Sequence, residues 1–282
     1  MTPDPHRPLL VCPQGSIECH SHVYDPARFP YVLQELGETP HDWQAFRDML
    51  DRLGFDRAAI VQAAAYGTDN RCTLDAVERL GRGRARAVVV TGPDETEAGF
   101  RALHAQGARA LRVFLGTPFL SLADIKPLAK RIAPLGWHII LQDPAGPNIA
   151  AWAEAIEGIP CPVVIDHLGR IPPGPGAMAS ATHPQFQALL RLVETGRVYV
   201  KLSGFYYSSA TGWPYQDVEP RVRALVELRP DRLLYGANWP HPKLQPKPDD
   251  AKELDLLLDW VPDAGTREMI LRDNPARLYF SD

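Results

Sequence analysis

Eight times along its 282 residues, a short run of aliphatic and β-branched residues gives way to a segment whose apolar positions recur at helical spacing. The strand-like runs are 16–22, 56–62, 84–91, 110–114, 137–142, 162–166, 198–203 and 232–236. The helical segments between them are 42–53, 70–80, 94–106, 121–135, 148–157, 183–195, about 217–228 and 249–260, with a terminal helix around 265–272. In the first of these Trp43, Phe46, Met49, Leu50 and Leu53 mark one face. Ser121 with Asp124 three residues on makes a capping-box start. Strands apolar along their whole length belong in a parallel sheet covered by helices, because both sheet faces are then buried. No Gly-x-Gly-x-x-Gly follows the first strand, so a dinucleotide-binding open sheet is disfavoured. The pattern predicts an α/β fold, a single (β/α)8 TIM barrel over residues 1–282 with a short N-terminal extension and a C-terminal helix.

Composition supports a soluble enzyme-sized core: 45% apolar and 23% charged residues. A net charge of −4 gives no reason to expect nucleic acid or an anionic membrane as partner. No run approaches the roughly 20 apolar residues of a membrane span. Residues 1–8 lack the charged start and apolar run of a signal peptide, so the chain reads as cytoplasmic. Cys12, Cys19, Cys72 and Cys161 are scattered and read as reduced thiols. The proline-rich stretches 171–176 and 240–248 read as ordered loops.

In such a barrel, chemistry belongs at the C-terminal ends of the strands. Polar residues gather there. The first strand ends in His20 and His22, which strand alternation points to one side, sending Cys19 away toward the helices or core. The other strand ends carry Gln62, Arg112, Gln142 with Asp143, Asp166 with His167, Lys201 with Ser203, and Asn238 followed by His241; Tyr206 and Tyr207 lie just beyond strand seven. Paired imidazoles can hold a metal, act on a substrate oxygen, or simply be hydrogen-bonded structural groups. Asp166 reads as a cap for the next segment or an orienting partner for His167. His138, near the start of its strand, reads as a packed structural histidine.

The motifs Glu18-Cys-His-Ser-His22, Val164-Ile-Asp-His-Leu-Gly-Arg170, Lys201-Leu-Ser-Gly204, Tyr235-Gly-Ala-Asn-Trp-Pro-His-Pro242 and Asn274-Pro-Ala-Arg-Leu-Tyr279 together resemble the amidohydrolase superfamily. The resemblance is to the branch holding 2-pyrone-4,6-dicarboxylate lactonase and D-galactarolactone isomerase. It implies a distorted (β/α)8 barrel that acts on lactone esters without a bound metal. Two departures matter. Asn238 stands where that lactonase has a water-activating aspartate, and an amide cannot accept a proton at neutral pH. Arg112 matches one carboxylate-clamping arginine, with Tyr206 near where another would stand.

The resulting expectation is a lactonase that hydrolyses a small, carboxylated lactone. His20, His22 and His167 would polarise the ester carbonyl, Asn238 would orient the attacking oxygen, and a histidine would serve as base. Arg112 would hold a carboxylate, with Gln142, Lys201, Tyr206 and His241 around the substrate. No metal or other cofactor is expected; zinc on His20, His22 and His167 is the alternative. A lactone isomerase moving the acyl group between hydroxyls, a metal-dependent hydrolase or decarboxylase, and a non-catalytic binding barrel are the competing readings. The small-molecule lactone is the expected partner, and the exposed helices leave a homo-oligomer open.

Overall fold

A computed structural model describes residues 6–174 and 177–281. Most of the expected N-terminal extension (residues 1–5), the last two residues of the loop 171–176, and residue 282 therefore lie outside the described residues. Eight parallel strands form one sheet in the order of the sequence: β1 Ile17–Ser21, β2 Arg57–Val61, β3 Ala85–Val89, β4 Ala108–Phe114, β5 His138–Gln142, β6 Val163–Ile165, β7 Val198–Leu202 and β8 Leu233–Tyr235. This is the expected TIM barrel.

The outward strand residues Ala58, Ile60, Val89, Leu111, Val113, Ile139, Leu141 and Val200 pack against the helices in one continuous core. Helix α1, Trp43–Leu53, shows why the segments are helical. Asp42 caps it by accepting from the Gln44 and Ala45 amides, and Phe46, Met49, Leu50 and Leu53 are buried from one face. Each such burial stabilises by about 1.5–3 kcal/mol. Helices α2 Arg71–Leu80, α3 Glu97–Ala105, α4 Leu122–Ile132, α5 Ile149–Ile156, α7 Pro184–Glu194, α8 Glu219–Leu228 and α9 Asp250–Trp260 fall where expected, with a short α6, Ala177–Thr182, that periodicity did not signal.

Inside the barrel a second apolar layer holds Ile17, Cys19, Ala59, Val61, Val88, Ala110, Ile140, Val164 and Leu234. The chain end closes it from below. Instead of one helix over 265–272, the chain forms α10 Ala264–Glu268, a wide π turn Met269–Asp273, and α11 Asn274–Tyr279. Asn274 drives the break: its Nδ2 donates to the Pro230 and Leu233 carbonyls, pinning the start of α11 beneath β8. Tyr279 then packs into the inner layer, where His138 meets its ring edge-on at 4.8 Å.

The seam between β1 and β8 differs from the other seven. No ladder joins these strands. The Asn238 amide donates to the His20 carbonyl, the His22 amide to the Trp239 carbonyl, and the buried Glu18 carboxylate accepts from both the His20 and Ala237 amides. Gly236 permits this approach: a Cβ there would lie 2.5 Å from that of His20. The pairing register of β1 also shifts between Glu18 and Ser21. Simple alternation fails as a result. Cys19 lies in the inner layer rather than among the helices, although His20 also faces the barrel axis. All four cysteines are free thiols. Among the described residues, no helix is long and apolar enough to cross a membrane.

Candidate active site

His20 and His22 emerge from β1 with ring centroids 5.0 Å apart, and His167 lies 4.4 Å from His20. The three imidazoles therefore converge at the C-terminal mouth, as expected. His167 arrives by an unusual backbone route. His167, Leu168, Gly169 and Arg170 all have positive φ (52°, 54°, 72° and 50°), a tight turn in which three non-glycine residues adopt left-handed conformations. Strain of this kind persists only where surrounding contacts hold it. The Ser203 hydroxyl, 2.8 Å from His167 Nδ1, is one such contact.

Beneath the imidazoles sits Asp166. Its side chain makes no cap bond to the following turn and no hydrogen bond to His167; its Oδ1 meets His20 Nδ1 at 3.2 Å and Lys201 Nζ at 3.0 Å. Arg112 Nε approaches its other oxygen at 4.0 Å. Burial works to raise the Asp166 pKa, but the adjacent His20 and Lys201 win and hold it well below the usual carboxylate range. Burial pushes His20 and His167 well below the ordinary imidazole value, and His22 down to about 3 with Arg112 adding to the effect. At neutral pH all three rings are thus uncharged above a buried ion pair.

The tautomers follow from their partners. His22 Nδ1 lies 2.8 Å from the Val61 carbonyl, which only accepts, so Nδ1 carries the hydrogen and Nε2 is bare. His22 Nε2 consequently cannot donate to a substrate carbonyl, contrary to the expected shared role of the three histidines. His20 Nδ1 lies 3.2 Å from Lys201 Nζ, a donor, as well as from Asp166. Ser203 gives His167 Nδ1 a donor as well. His167 can therefore carry its hydrogen on Nε2, whereas His20 Nδ1 faces an acceptor and a donor equally, so its contacts fit either tautomer, and its Nε2 is buried with no protein partner.

Above the imidazoles a cavity of about 260 Å³ is lined by His22, His167, Arg112, Gln142 and Asn238, together with Tyr24, Arg170 and Tyr207. Arg112 is held in place, donating to the Gln62 carbonyl at 2.8 Å and to Gln142 Oε1 at 2.6 Å. Arg170, overlooked as a site residue, lies 3.9 Å above the Tyr207 ring centroid. Its motif was visible, but only the left-handed turn brings its side chain to the mouth. Three expected lining residues stand behind the wall instead. Lys201 is fully buried and committed to Asp166 and His20. The Tyr206 hydroxyl is engaged by Asn238 and His241, and His241 reaches on to Asp250. A larger cleft of about 740 Å³, lined by Arg28, Arg71, Asp75 and Gln106 among others, contains none of the strand-end residues.

Comparison with known proteins places this geometry in context. The model of the amidohydrolase family matches residues 17–280. A 2-pyrone-4,6-dicarboxylate hydrolase of Comamonas testosteroni is 33% identical, covering 99% of this chain and 94% of that protein. A 4-sulfomuconolactone hydrolase of Rhizobium radiobacter is 35% identical over 96% of this chain and 91% of its own length. A D-galactarolactone isomerase of Agrobacterium fabrum is 30% identical over 96% and 93%.

Proposed function

This chain belongs to the amidohydrolase family, and from that premise we propose that it hydrolyses the ester of a small, carboxylated lactone. One observation carries the reading: a single cavity has an unprotonated imidazole nitrogen on one side and two guanidinium groups, Arg112 and Arg170, among its other walls. An ester needs the first and a substrate carboxylate the second. Two relatives named as lactone hydrolases support it.

In this mechanism the Nε2–H of His167 donates to the ring carbonyl oxygen, while His20, packed 4.4 Å from it beneath the cavity, links it to the Asp166–Lys201 pair. The His167 donor stabilises the charge that develops on that oxygen when water attacks. Water bonds to the acyl carbon while His22 Nε2 takes its proton. The oxyanion arriving beside His22 opposes the influence of Arg112 that otherwise disfavours its protonation. Collapse of the tetrahedral intermediate breaks the ring C–O bond, and His22 returns the proton to the departing oxygen. The product is the open hydroxy acid. Asn238 orients the water without accepting its proton. Arg112, steadied by Gln142, and Arg170 hold the carboxylate.

The reading assigns no role to a metal. His20, Asp166 and His167 do offer ligand atoms within 4.8 Å of one another. Their charge balance does not suit a divalent ion, because the sole carboxylate of the group already faces Lys201 and Arg112. Adding two positive charges to that buried set would leave them without a second anionic ligand. Dialysis against a strong chelator is expected to leave the rate unchanged; loss of rate restored by zinc or manganese would overturn this part.

Asn238 favours one second reading. Lacking an acid at the end of strand eight, the site could direct a substrate hydroxyl rather than water onto the acyl carbon, which is isomerisation. Screening sugar-acid and muconate-type lactones with a pH indicator tests both, because hydrolysis releases a proton. Repeating the active case in ¹⁸O-water must place label in the product carboxylate. Ring exchange without label would replace hydrolysis by isomerisation, and inertness toward every lactone would reject both.

A further inference from the structure

We propose that Asp250 and His241, both outside the cavity, determine which end of the Asn238 amide meets the substrate. Three contacts run outward from the site: Asn238 Nδ2 to the Tyr206 hydroxyl at 2.5 Å, Tyr206 to His241 Nδ1 at 3.1 Å, and His241 Nε2 to Asp250 Oδ1 at 2.8 Å. Asp250 starts α9 and so belongs to a different element from the strand end it controls. His241 is 2% exposed and Asn238 1% exposed, so the two ends that flank Tyr206 are shielded from water.

The direction of each bond is forced by the one before it. A carboxylate only accepts, so His241 Nε2 carries a hydrogen. Arg52 already faces the other Asp250 oxygen at 2.6 Å, so the carboxylate has a cationic partner without the imidazole, while Lys247 is paired with Glu38. In the proposed chain the imidazole is therefore a neutral ring, the state that a ¹⁵N spectrum tests. Its Nδ1 is then bare and must accept, so the Tyr206 hydroxyl donates to it. The Tyr206 oxygen, having spent its hydrogen, accepts from Asn238. The amide NH2 is thereby turned toward Tyr206, and the carbonyl oxygen is the end left for the reacting centre. Burial keeps the Tyr206 phenol protonated, which suits a group that must donate.

Asn238 is also fixed at its backbone. Its φ of 62° is left-handed, a conformation asparagine tolerates better than most residues, and its amide donates to the His20 carbonyl at 2.7 Å. The chain from Asp250 then orients the side-chain amide, with the Tyr207 hydroxyl at 3.5 Å a weaker second acceptor for the same NH2. His241 and Asp250 are positioning residues. Their effect on rate rests on the lactonase reading, but their effect on protonation does not.

Two measurements test the proposal. The ¹⁵N spectrum of the full-length protein at mildly alkaline pH, with His241 assigned by its absence in His241→Gln, should show a neutral ring protonated on Nε2. A doubly protonated ring, or a hydrogen on Nδ1, would overturn the directionality whether or not a substrate is known. In Asp250→Asn the new amide can donate to Nε2, so the hydrogen should move to Nδ1, reversing every bond down to Asn238. On an active lactone kcat should fall by about ten- to a hundredfold with KM changed less than about twofold. Adding Tyr206→Phe to Asp250→Asn should cost little more than either alone, because both cut one chain. Losses that multiply, or an Asp250→Asn enzyme with undiminished kcat, would refute the assignment. Should Asp250→Asn fail to fold, Tyr206→Phe alone must still lower kcat at constant KM while leaving the His241 hydrogen on Nε2.

Discussion

Asp166 and Lys201 form a buried ion pair on which the three imidazoles rest, 3.0 Å apart and both without solvent contact. Removing one member of such a pair leaves the other uncompensated, at a cost of about 3–5 kcal/mol. Lys201→Met is accordingly expected to lower the urea midpoint sharply; an unchanged midpoint would mean that Asp166 finds its balance elsewhere. His167 differs, because its Nδ1 contact is only to a hydroxyl. His167→Ala should keep the fold and lose at least about tenfold in turnover, the scale of a lost oxyanion donor or more. Wild-type turnover in that variant would remove His167 from the chemistry. Arg170→Leu should raise KM about tenfold for a carboxylated lactone and leave a neutral one unaffected. Equal effects on both would mean that the guanidinium only packs on Tyr207.

At the scale of elements, the barrel could be read from the chain because its evidence is local: apolar runs alternating with amphipathic segments need no knowledge of distant contacts. His20, His22, His167, Asn238 and Arg112 were legible for the same reason, since each stands at or just past a strand end. The failures involve long-range effects. The register shift in β1 put Cys19 inside, and the left-handed turn after β6 carried Arg170 to the mouth. Nothing near Lys201 in sequence announces Asp166 as its partner, so its commitment behind the site was invisible. Glu18 was likewise overlooked, because its task is to receive amides from both sides of a seam. Gly236→Ala tests that seam. Its Cβ would collide with backbone and Cβ atoms of His20, which cannot swing away as a flexible side-chain tip could. We expect a marked fall in melting temperature together with loss of activity; a variant as stable as the parent would show that the two strands can separate without penalty.

Across the whole molecule, the buried titratable groups set the response to acid. His22 and His138 are pushed down to about 3 by burial, from an ordinary value of 6.5, and His20 and His167 are also strongly lowered. A histidine with a lowered folded pKa contributes stability above its unfolded value and loses it as pH falls toward the folded one. Glu18 and Glu253 work the other way. Burial raises both to about 7, so each favours the folded state more as pH drops from there toward 4.5. Four imidazoles outweigh two carboxyl groups, and stability should decline steadily as pH is lowered from about 6.5. Urea titrations across that interval check the sign; a midpoint that holds steady or rises would mean the carboxyl groups dominate.

The stitching of β1 to β8 by a side chain has a further consequence. The first and last of the strand-end motifs, separated by more than two hundred residues of chain, share a single seam, and the Glu18 carboxyl group lies within it. Any slackening there would draw the amide of Asn238 away from the imidazoles as one movement, so that mechanical integrity of the barrel wall and alignment of the reacting groups are lost together.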